Sequence, residues 1–497
     1  MKRAAKASAP GGTVAAGRVV LALVILTIAL SAVVRFVDLG AYPQYVGDEN
    51  YYARDASSLL SDGFGTFGVQ PWMPGLAQSF AHPELGVEAI AAGIKLFGDG
   101  PWGWRVPSAV AGTVLIGLIY PLGRRLRLPP LWALAATVLA ASDTLLILQS
   151  RLAMLDMFVA LGSVACVYFA LRAAQSPSSR FWLWVVLCGL AAGGATACKW
   201  SGGLAMLAAT VLLAAHARSL GGRRVAAACA IVVALTVAIY VASYTPYFVA
   251  GHDLGQWLRL QRFMVSFNLS ARAIPAQASR AITWPFDVYP IWYHWNSAGG
   301  GFARGLLAIG NPLLWWAGIA SFVALGVQAV TRRDLRLGVT PFLVAVLYLP
   351  WLATSRPAFL YYMTPVAPFI ALLVATGLWR LCTPEPADPR ASAAAFPGAL
   401  LLAGGAFGVA GLGQGAGPAG SSPAVRLAAA AAGALSLVAA VLLAGREDPR
   451  RPALLSALAW AFVGATAGVA IAFLPFLLGY PVTAEYYRHL MWLPTWW

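Results

Sequence analysis

The sequence predicts an all-α protein that crosses a membrane many times. Hydrophobic residues make up 60% of the 497 positions, charged residues only 10%, and the mean hydropathy is +0.72. A soluble domain carries about 25% charged residues, so a soluble multidomain chain is excluded. Apolar segments also recur along the chain at a length of about 20 residues, which a helix needs to span the hydrocarbon core.

Thirteen segments are candidate spans, and we expect about 11 to 13 of them to cross the membrane. The short segment 201–216 is the weakest of them. The candidates are 19–37, 105–123, 130–147, 153–172, 181–198, 201–216, 225–244, 306–329, 338–353, 359–379, 396–414, 426–444 and 453–475.

The charges indicate which side of the membrane each loop occupies. If the N-terminus is cytoplasmic and all thirteen segments cross, the inner side receives 20 of the 34 Lys and Arg residues but only 5 of the 18 Asp and Glu residues. Inner loops of membrane proteins are enriched in Lys and Arg, so the net charge of +16 reflects topology. The arginines are spread over many short loops and form no basic stripe for nucleic acid. We therefore expect a plasma (inner) membrane protein with an outer C-terminus and no nucleic-acid partner.

The chain divides into four predicted parts. These are a disordered cytoplasmic tail (1–17), a membrane domain (18–382), a cytoplasmic linker (383–395) and a final transmembrane block (396–497). Two long outer loops, 38–104 and 243–304, should carry the polar function because the inner connections are short. Within the first loop, 84–97 is amphipathic but too short to span, which predicts an interfacial helix.

Two adjacent carboxylates, Asp48 and Glu49, lie a short distance after the first predicted span, 19–37. Acids beside the hydrocarbon are costly, so they indicate a functional site. The alternative is a polar turn in which both side chains face water.

Six motifs occur in the order typical of protein O-mannosyltransferases, and the chain resembles that family over about 33–379. The motifs are Asp48-Glu49, His82-Pro83, Gln149-Ser150-Arg151 with Met154-Leu155-Asp156, Lys199-Trp200-Ser201-Gly202, Trp284-Pro285 with Pro290-Ile291-Trp292-Tyr293, and Gly310-Asn311-Pro312 with Trp315-Trp316. The resemblance implies the GT-C membrane glycosyltransferase fold. It also implies transfer of mannose from a polyprenyl-phosphate (or dolichyl-phosphate) carrier to Ser or Thr of an exported protein on the outer face.

The chain departs from the family pattern in two places. The family's His-Pro motif often continues with a second proline and a lysine, where this chain has Glu84 and Val87. This departure leaves the exact sugar donor open. The large soluble insert of fungal and animal members is absent from the second outer loop, which indicates a bacterial-type enzyme.

The chemistry of the transfer predicts a role for each acid. The acceptor hydroxyl needs a base for its proton, and Asp48 is the predicted base. Glu49 is its predicted orienting partner, because an adjacent carboxylate raises the pKa of its neighbour. One base without a carboxylate nucleophile predicts a single displacement with inversion at the anomeric carbon.

Basic residues at outer helix ends are predicted to bind the donor phosphate. Arg151 offers a planar guanidinium for a bidentate contact, and Lys199 would be a second buried cation whose isolation would be costly. The weaker candidates are Arg105 and Arg356. Arg151 also lies between Asp143 and Asp156 and could form a structural ion pair instead, with Asp156 as structural support.

The acceptor or the sugar is predicted to contact polar and aromatic residues of the two outer loops. Many rings here belong to the aromatic belt of any membrane protein, and a lone His82 is more often structural. The rings exceed what a belt requires, however, and with Asn296 and Arg280 they would form a wall for an extended peptide or a sugar ring. The predicted contact residues are His82, Glu84, Trp284, Tyr289, Trp292, Tyr293 and Asn311.

Two other functions stay open at this stage. The same scaffold serves transferases that move aminoarabinose from a polyprenyl phosphate to lipid A or a glycan, and a lipid-linked sugar transporter would also carry intramembrane charges. We expect no cofactor and no dedicated metal site, since the five cysteines are odd in number and lack metal spacing, although a divalent metal is compatible with the sequence. The expected partners are the lipid-linked donor, membrane lipids, and a secreted or membrane protein acceptor, with the export translocon as one route of delivery.

Overall fold

The computed structural model describes residues 10–61, 81–176, 178–216, 221–270, 277–383 and 451–496. These residues are mostly helical, so the predicted polytopic helical fold is confirmed. The helices are α1 (Pro10–Phe36), α2 (Glu49–Ser61), α3 (Leu85–Phe97), α4 (Pro101–Arg125), α5 (Pro130–Ala141), α6 (Thr144–Gln149), α7 (Leu155–Ala174), α8 (Ser178–Cys198), α9 (Gly203–His216), α10 (Gly222–Ala242), α11 (Thr245–Val249), α12 (Leu254–Ser270), α13 (Pro312–Thr331), α14 (Val339–Tyr348), α15 (Ala367–Cys382), α16 (Arg451–Leu478) and α17 (Ala484–Leu490).

Within the described ranges, seven helices are long and apolar enough to cross a membrane: α1, α4, α7, α8, α10, α13 and α16. Four shorter apolar segments contain α5, α9, α14 and α15. Every candidate span in this part of the chain therefore has a helical counterpart. The candidates 396–414 and 426–444, and residues 384–395 of the linker, lie outside the described residues.

Two predicted boundaries are wrong. Helix α1 begins at Pro10, inside the segment expected to be a disordered tail; residues 1–9 of that tail lie outside the described ranges. The span predicted at 306–329 begins only at Pro312, because residues 302–308 form a strand instead. Asn311 caps the shortened helix by accepting a hydrogen bond from the Leu314 amide.

A small antiparallel sheet, which the sequence did not predict, lies at the end of the second predicted outer loop. Strands β1 (Ile291–Gly299) and β2 (Phe302–Ala308) form a hairpin, and β2 also pairs with the short β3 (Val482–Thr483). The turn between β1 and β2 contains Gly299, Gly300 and Gly301, all at positive φ, a region that glycine enters without a steric cost. The hairpin therefore depends on local turn chemistry that a search for apolar runs overlooks.

The C-terminal segment holds this hairpin in place. Trp496 is fully buried, and its indole Nε1 donates to the carbonyl oxygen of Asp287 at 2.6 Å. In return, Trp292 Nε1 on β1 donates to the Trp496 carbonyl at 3.2 Å. These contacts join the end of the described chain to the sheet.

In its described part before α4, the first predicted outer loop forms two helices, α2 and α3, that pack on the membrane helices. The predicted helix at 84–97 is confirmed as α3, and its buried face includes Val87, Ile90 and Ile94. These side chains form one apolar cluster with Tyr52 of α2 and Leu155 of α7. This cluster fixes α2, and with it Asp48, against the start of α7. Its place at the membrane interface stays a prediction.

Candidate active site

Asp48 lies directly before α2 and contacts a residue that is distant in the sequence. Its Oδ2 accepts a hydrogen bond from the hydroxyl of Tyr361 at 2.9 Å. Tyr361 belongs to a short 3-10 turn, Leu360–Met363, that precedes α15. The two residues are 313 positions apart, so the folded chain, and no local motif, creates this contact.

The surroundings of Asp48 make it a stronger base than an ordinary carboxylate. Burial raises its pKa, and the negative charge of Asp156 raises it further. The Tyr361 hydrogen bond and the positive charge of Lys199 lower the pKa and offset only part of this increase. A raised pKa brings a carboxylate closer to the operating pH, where a general base works best.

Glu49 has a structural environment that differs from its predicted role. Its two carboxylate oxygens accept from Arg105 Nε and Nη2, both at 2.8 Å. They also accept from the backbone amides of Val46 at 3.0 Å and Ala153 at 2.9 Å. A fully buried carboxylate with four donors is a fixed joint. The expectation that Glu49 orients Asp48 and raises its pKa is therefore replaced: Glu49 points to Arg105 and holds the chain on which Asp48 lies.

Arg105 and Arg151, both predicted to bind phosphate, are committed to the protein itself. Besides Glu49, Arg105 donates to three backbone carbonyls between Leu39 and Gln44. Arg151 donates to the carbonyls of Val34, Arg35, Val37 and Asp38, which end α1 and start the loop. Arg105 is 2% exposed and Arg151 is 5% exposed, so neither guanidinium presents a free edge to a ligand. Both act as clamps that hold the Asp48 loop.

Lys199 and Asp156 form a buried ion pair. The Lys199 Nζ atom lies 2.9 Å from each oxygen of the Asp156 carboxylate. The same ammonium lies 4.6 Å from the ring centre of Tyr362 and 5.8 Å from that of Tyr361, distances at which an aromatic face attracts a cation. Asp156 was considered as a partner of Arg151, but the tertiary structure pairs it with Lys199.

Arg356 adds a second positive charge to the side of the site that holds Lys199, and His82 lies next to both. Arg356 Nη2 donates to the Tyr362 hydroxyl at 2.6 Å, and Nη1 donates to Asn268. The Asn268 amide in turn donates to the Ala81 carbonyl at 3.1 Å, directly before His82. Burial lowers the pKa of His82 well below its ordinary value, and the charges of Lys199 and Arg356 lower it further. His82 is therefore a neutral imidazole at physiological pH.

Tyr293 reaches the site from β1. It is the unpaired residue of a bulge, because Trp292 pairs with Leu307 and His294 with Leu306. A bulge redirects a side chain and is common beside active sites. The Tyr293 ring lies 6.0 Å from the ring of Tyr361, and its hydroxyl accepts from Gln149 Nε2 at 2.8 Å.

Gly47, next to Asp48, is required by this approach of Tyr293. Its φ is +55°, and a Cβ atom at this position would lie 2.9 Å from Tyr293 Cδ1. Any other residue would strain the backbone and displace the ring. The Val46-Gly47-Asp48 turn and the β1 bulge therefore depend on each other.

The remaining predicted contact residues lie elsewhere. Glu84 is buried and its Oε1 has no hydrogen-bond partner among the described residues; burial and the nearby Glu88 and Asp55 raise its pKa well above the ordinary value. Trp284 and Asn311 are fully buried. Asn311 binds the carbonyls of Ser142 and Thr466, and Trp284 Nε1 donates to Ser279.

Trp292 and Tyr289 lie outside the Asp48 cluster. Trp292 packs against Trp295 and Tyr487, and Tyr289 is 47% exposed. The structure thus brings Asp48, Lys199, Asp156, Arg356, His82 and Tyr293 together. Among the described residues, Trp284 reaches this group only through Tyr362, whose ring centre lies 6.0 Å from its own.

The sequence reasoning missed three residues that border this cluster: Tyr52, Tyr361 and Tyr362. Tyr52 forms a second side-chain hydrogen bond to Asp48. Tyr361 and Tyr362 follow Arg356 within the predicted span 359–379, where aromatic residues attract no notice. A tyrosine doublet that starts five residues after an arginine, at the entrance to a predicted span, was the available signal. In the described part of the chain, no group of three or more His, Cys, Asp or Glu side chains is placed to hold a metal ion.

The bundle of apolar helices around this site has the fold of the GT-C class of membrane glycosyltransferases. The solved S. cerevisiae protein O-mannosyltransferase Pmt1-Pmt2 complex bound to the sugar donor has the same fold, with a TM-score of 0.69 and 13% identity over 96% of this chain and 92% of that chain. The fold class predicted from the sequence is thereby confirmed.

Sequence comparison leads to the family. The dolichyl-phosphate-mannose-protein mannosyltransferase family model matches residues 24–250. The polyprenol-phosphate-mannose--protein mannosyltransferase of Mycolicibacterium smegmatis is 26% identical over 71% of this chain and 81% of its own length. An undecaprenyl phosphate-alpha-4-amino-4-deoxy-L-arabinose arabinosyl transferase of Pseudomonas aeruginosa is 36% identical, over 32% of this chain and 28% of its own length. The chain is a glycosyltransferase, and its residues 24–250 match the protein mannosyltransferase family model, as the motifs predicted.

Proposed function

We propose that this protein transfers mannose from a polyprenyl-phosphate-mannose donor to Ser or Thr hydroxyls of exported proteins. The relatives named for this activity cover most of the chain, which supports the donor and the protein acceptor. The orientation inferred from the basic loops would put the site on the outer face of the plasma membrane, with the N-terminus in the cytoplasm.

The observation that carries the proposal is the position of Asp48 between the Tyr361 hydroxyl and the Lys199 ammonium. Its carboxylate accepts from Tyr361 and senses the charge of Lys199. In the proposed reaction Asp48 takes the proton of the acceptor hydroxyl while that oxygen attacks the anomeric carbon. The bond from that carbon to the phosphate oxygen breaks with its electron pair, and polyprenyl phosphate leaves.

The leaving phosphate gains negative charge, which needs cations in place before the bond breaks. We assign this role to Lys199 and Arg356, with the Tyr362 hydroxyl and neutral His82 beside them. Arg356 is half-buried, and two of its guanidinium nitrogens donate to the side chains of Tyr362 and Asn268. Its charge lies near His82 and is less enclosed than that of Arg105 or Arg151. This assignment replaces the predicted roles of Arg151 and Arg105, because the guanidinium groups of these two residues donate their hydrogen bonds to backbone carbonyls. A single base on one side of the bond supports inversion of the anomeric carbon.

A reconstituted assay tests the proposal. The protein in nanodiscs receives polyprenyl-phosphate-mannose with either a Ser/Thr-rich peptide or lipid A, and product is measured by mass spectrometry. We expect a mannosylated peptide, and a loss on the order of 100-fold or more in Asp48→Asn, the usual scale for a removed general base. Asp253→Asn, at an exposed helix start, is the matched control and should keep full activity. Near-normal transfer by Asp48→Asn would overturn the assignment of the base.

A second candidate is the transfer of an aminoarabinose-type sugar to lipid A or a glycan. The 36% identity to the Pseudomonas aeruginosa arabinosyl transferase favours it over one third of the chain. The same assay, repeated with undecaprenyl-phosphate-aminoarabinose, separates the two candidates. Sugar on lipid A and none on the peptide would establish this function in place of the first.

A further inference from the structure

Strand β1 has a free edge that starts at the candidate active site. The strand order in the sheet is β1-β2-β3, so β1 pairs on one side only, with β2. No other strand in the described ranges lies against its second edge. The backbone N–H and C=O groups along such an edge are a ready template for another chain.

The exposure of β1 rises steadily along its length. Ile291 is buried, Trp292 to His294 are partly buried, and Trp295, Asn296 and Ser297 are exposed. The strand therefore runs from the protein interior to the surface. A segment of another protein lying beside it would be guided from solvent into the fold.

The inner end of this edge is joined to the proposed base. Tyr293 lies in van der Waals range of Gly47, the residue before Asp48, and its ring neighbours that of Tyr361, which binds Asp48. The bulge at Tyr293 interrupts pairing with β2 and turns the side chain toward the site. The inner end of the edge is thus linked to the proposed catalytic carboxylate through the rings of Tyr293 and Tyr361.

We propose that the acceptor binds as an extended segment that adds to the free edge of β1 and presents its Ser or Thr to Asp48. This inference rests on the proposed function, because it assumes a protein acceptor. Strand addition obtains affinity from main-chain hydrogen bonds and places few demands on the side chains. It therefore predicts an enzyme that selects acceptors by their extended conformation more than by a sequence motif.

The geometry of a strand gives the inference a measurable pattern. Each residue advances about 3.3 Å, so the edge from Tyr293 to Ser297 would pair with about four acceptor residues on one side of the modified hydroxyl. Successive amides of a strand point to opposite edges, so only every second acceptor amide would donate to β1.

N-methylation of the acceptor peptide tests this pattern directly on the wild-type protein. Each peptide of a series contains one Thr and a single N-methyl group. The N-methyl group is placed in turn at each of the four positions on either side of that Thr. We expect KM to rise about tenfold or more at alternate positions on one side only, with a small change in kcat. Equal KM values across the set, or losses without alternation, would overturn the inference.

Disulfide crosslinking gives an independent measurement. Ser297→Cys lies on the free edge, and Thr483→Cys, on β3 at the opposite edge of the same sheet, is its matched control; both positions are exposed. A peptide with Cys four residues from the acceptor Thr should crosslink to the first variant and not to the second. Equal crosslinking to both would count against strand addition.

The two proposals fail in different ways. If the unmethylated peptide receives no mannose from the lipid donor, the proposed function is wrong. If it is mannosylated but shows neither alternation nor selective crosslinking, the function stands and strand addition is wrong.

Discussion

The carboxylate of Glu49 and the guanidinium of Arg105 form a bidentate pair, with Nε–Oε1 and Nη2–Oε2 distances both 2.8 Å. Both side chains are almost completely inaccessible to solvent. The pair joins the loop after α1 to α4, and a third bond from the Ala153 amide joins it to the start of α7. It lies one residue from Asp48, so the proposed base is held by a joint that three parts of the chain share.

Breaking this joint should lower stability strongly. Glu49→Gln leaves the Arg105 charge without its partner, and removal of one member of a buried pair costs about 3–5 kcal/mol. Thermal unfolding in detergent should show a clear decrease in melting temperature, together with reduced transfer. Glu485→Gln, an exposed glutamate on α17, is the control and should leave the melting temperature unchanged. An unchanged melting temperature in Glu49→Gln would mean that the pair is dispensable.

Loss of the Tyr361 hydroxyl should shift the pH profile of the reaction. The hydrogen bond from Tyr361 lowers the pKa of Asp48 and thereby opposes the effect of burial. In Tyr361→Phe the pKa of Asp48 should rise further, so the acidic limb of kcat/KM moves to higher pH. Tyr348→Phe removes a hydroxyl that binds the distant Ala281 carbonyl and should leave that limb in place. An identical limb in Tyr361→Phe and wild type would argue against Asp48 as the base.

The Asp156–Lys199 pair allows structural and chemical roles to be separated. Asp156→Asn and Lys199→Met should each destabilise the protein, because each leaves one buried charge alone. The double variant should be more stable than the sum of the two effects predicts, with a coupling of about 1 kcal/mol or more. Transfer should nevertheless stay low in the double variant, since the cation for the phosphate is gone. Recovery of transfer along with stability would make Lys199 a purely structural residue.

Glu88 on α3 should make stability depend on pH. Burial raises its pKa to about 7 from an ordinary value of 4.5. The folded state therefore binds this proton more tightly than the unfolded state, and the free energy of unfolding falls as pH rises from about 4.5 through about 7. Glu88→Gln removes this loss, so the variant should gain up to about 3 kcal/mol over wild type at pH 8 and less than about 1 kcal/mol at pH 5, at about 1.4 kcal/mol per pKa unit. Melting temperatures at the two pH values, compared with Glu485→Gln, give the measurement. A gain that is equal at both pH values would exclude titration of Glu88 as its cause.

The helical architecture was largely predictable, while the sheet was not. Each apolar run predicted as a span corresponds to a helix wherever the structure describes it. Sequence is sufficient for this prediction because a membrane helix satisfies its own backbone hydrogen bonds. The hairpin of β1 and β2 depends on three turn glycines and on the distant Trp496, which binds Asp287 and Trp292. Contacts between residues so distant in the chain produce no periodic pattern in the sequence.

The sequence by itself determined that this chain is a multi-pass membrane glycosyltransferase and that Asp48 is the acid to consider. The apolar composition of the chain requires a membrane environment. A carboxylate close to a span is rare enough to be recognised from the sequence without a structure. The tertiary structure decided which groups each charged side chain contacts. Arg151 and Arg105 carry the same charge as Lys199 and Arg356, yet the first two are bound to backbone carbonyls. Lys199 instead lies near Asp48, and both Lys199 and Arg356 lie near His82. Charge is a property of the residue, whereas its availability depends on which acceptors the folded chain brings within about 3 Å.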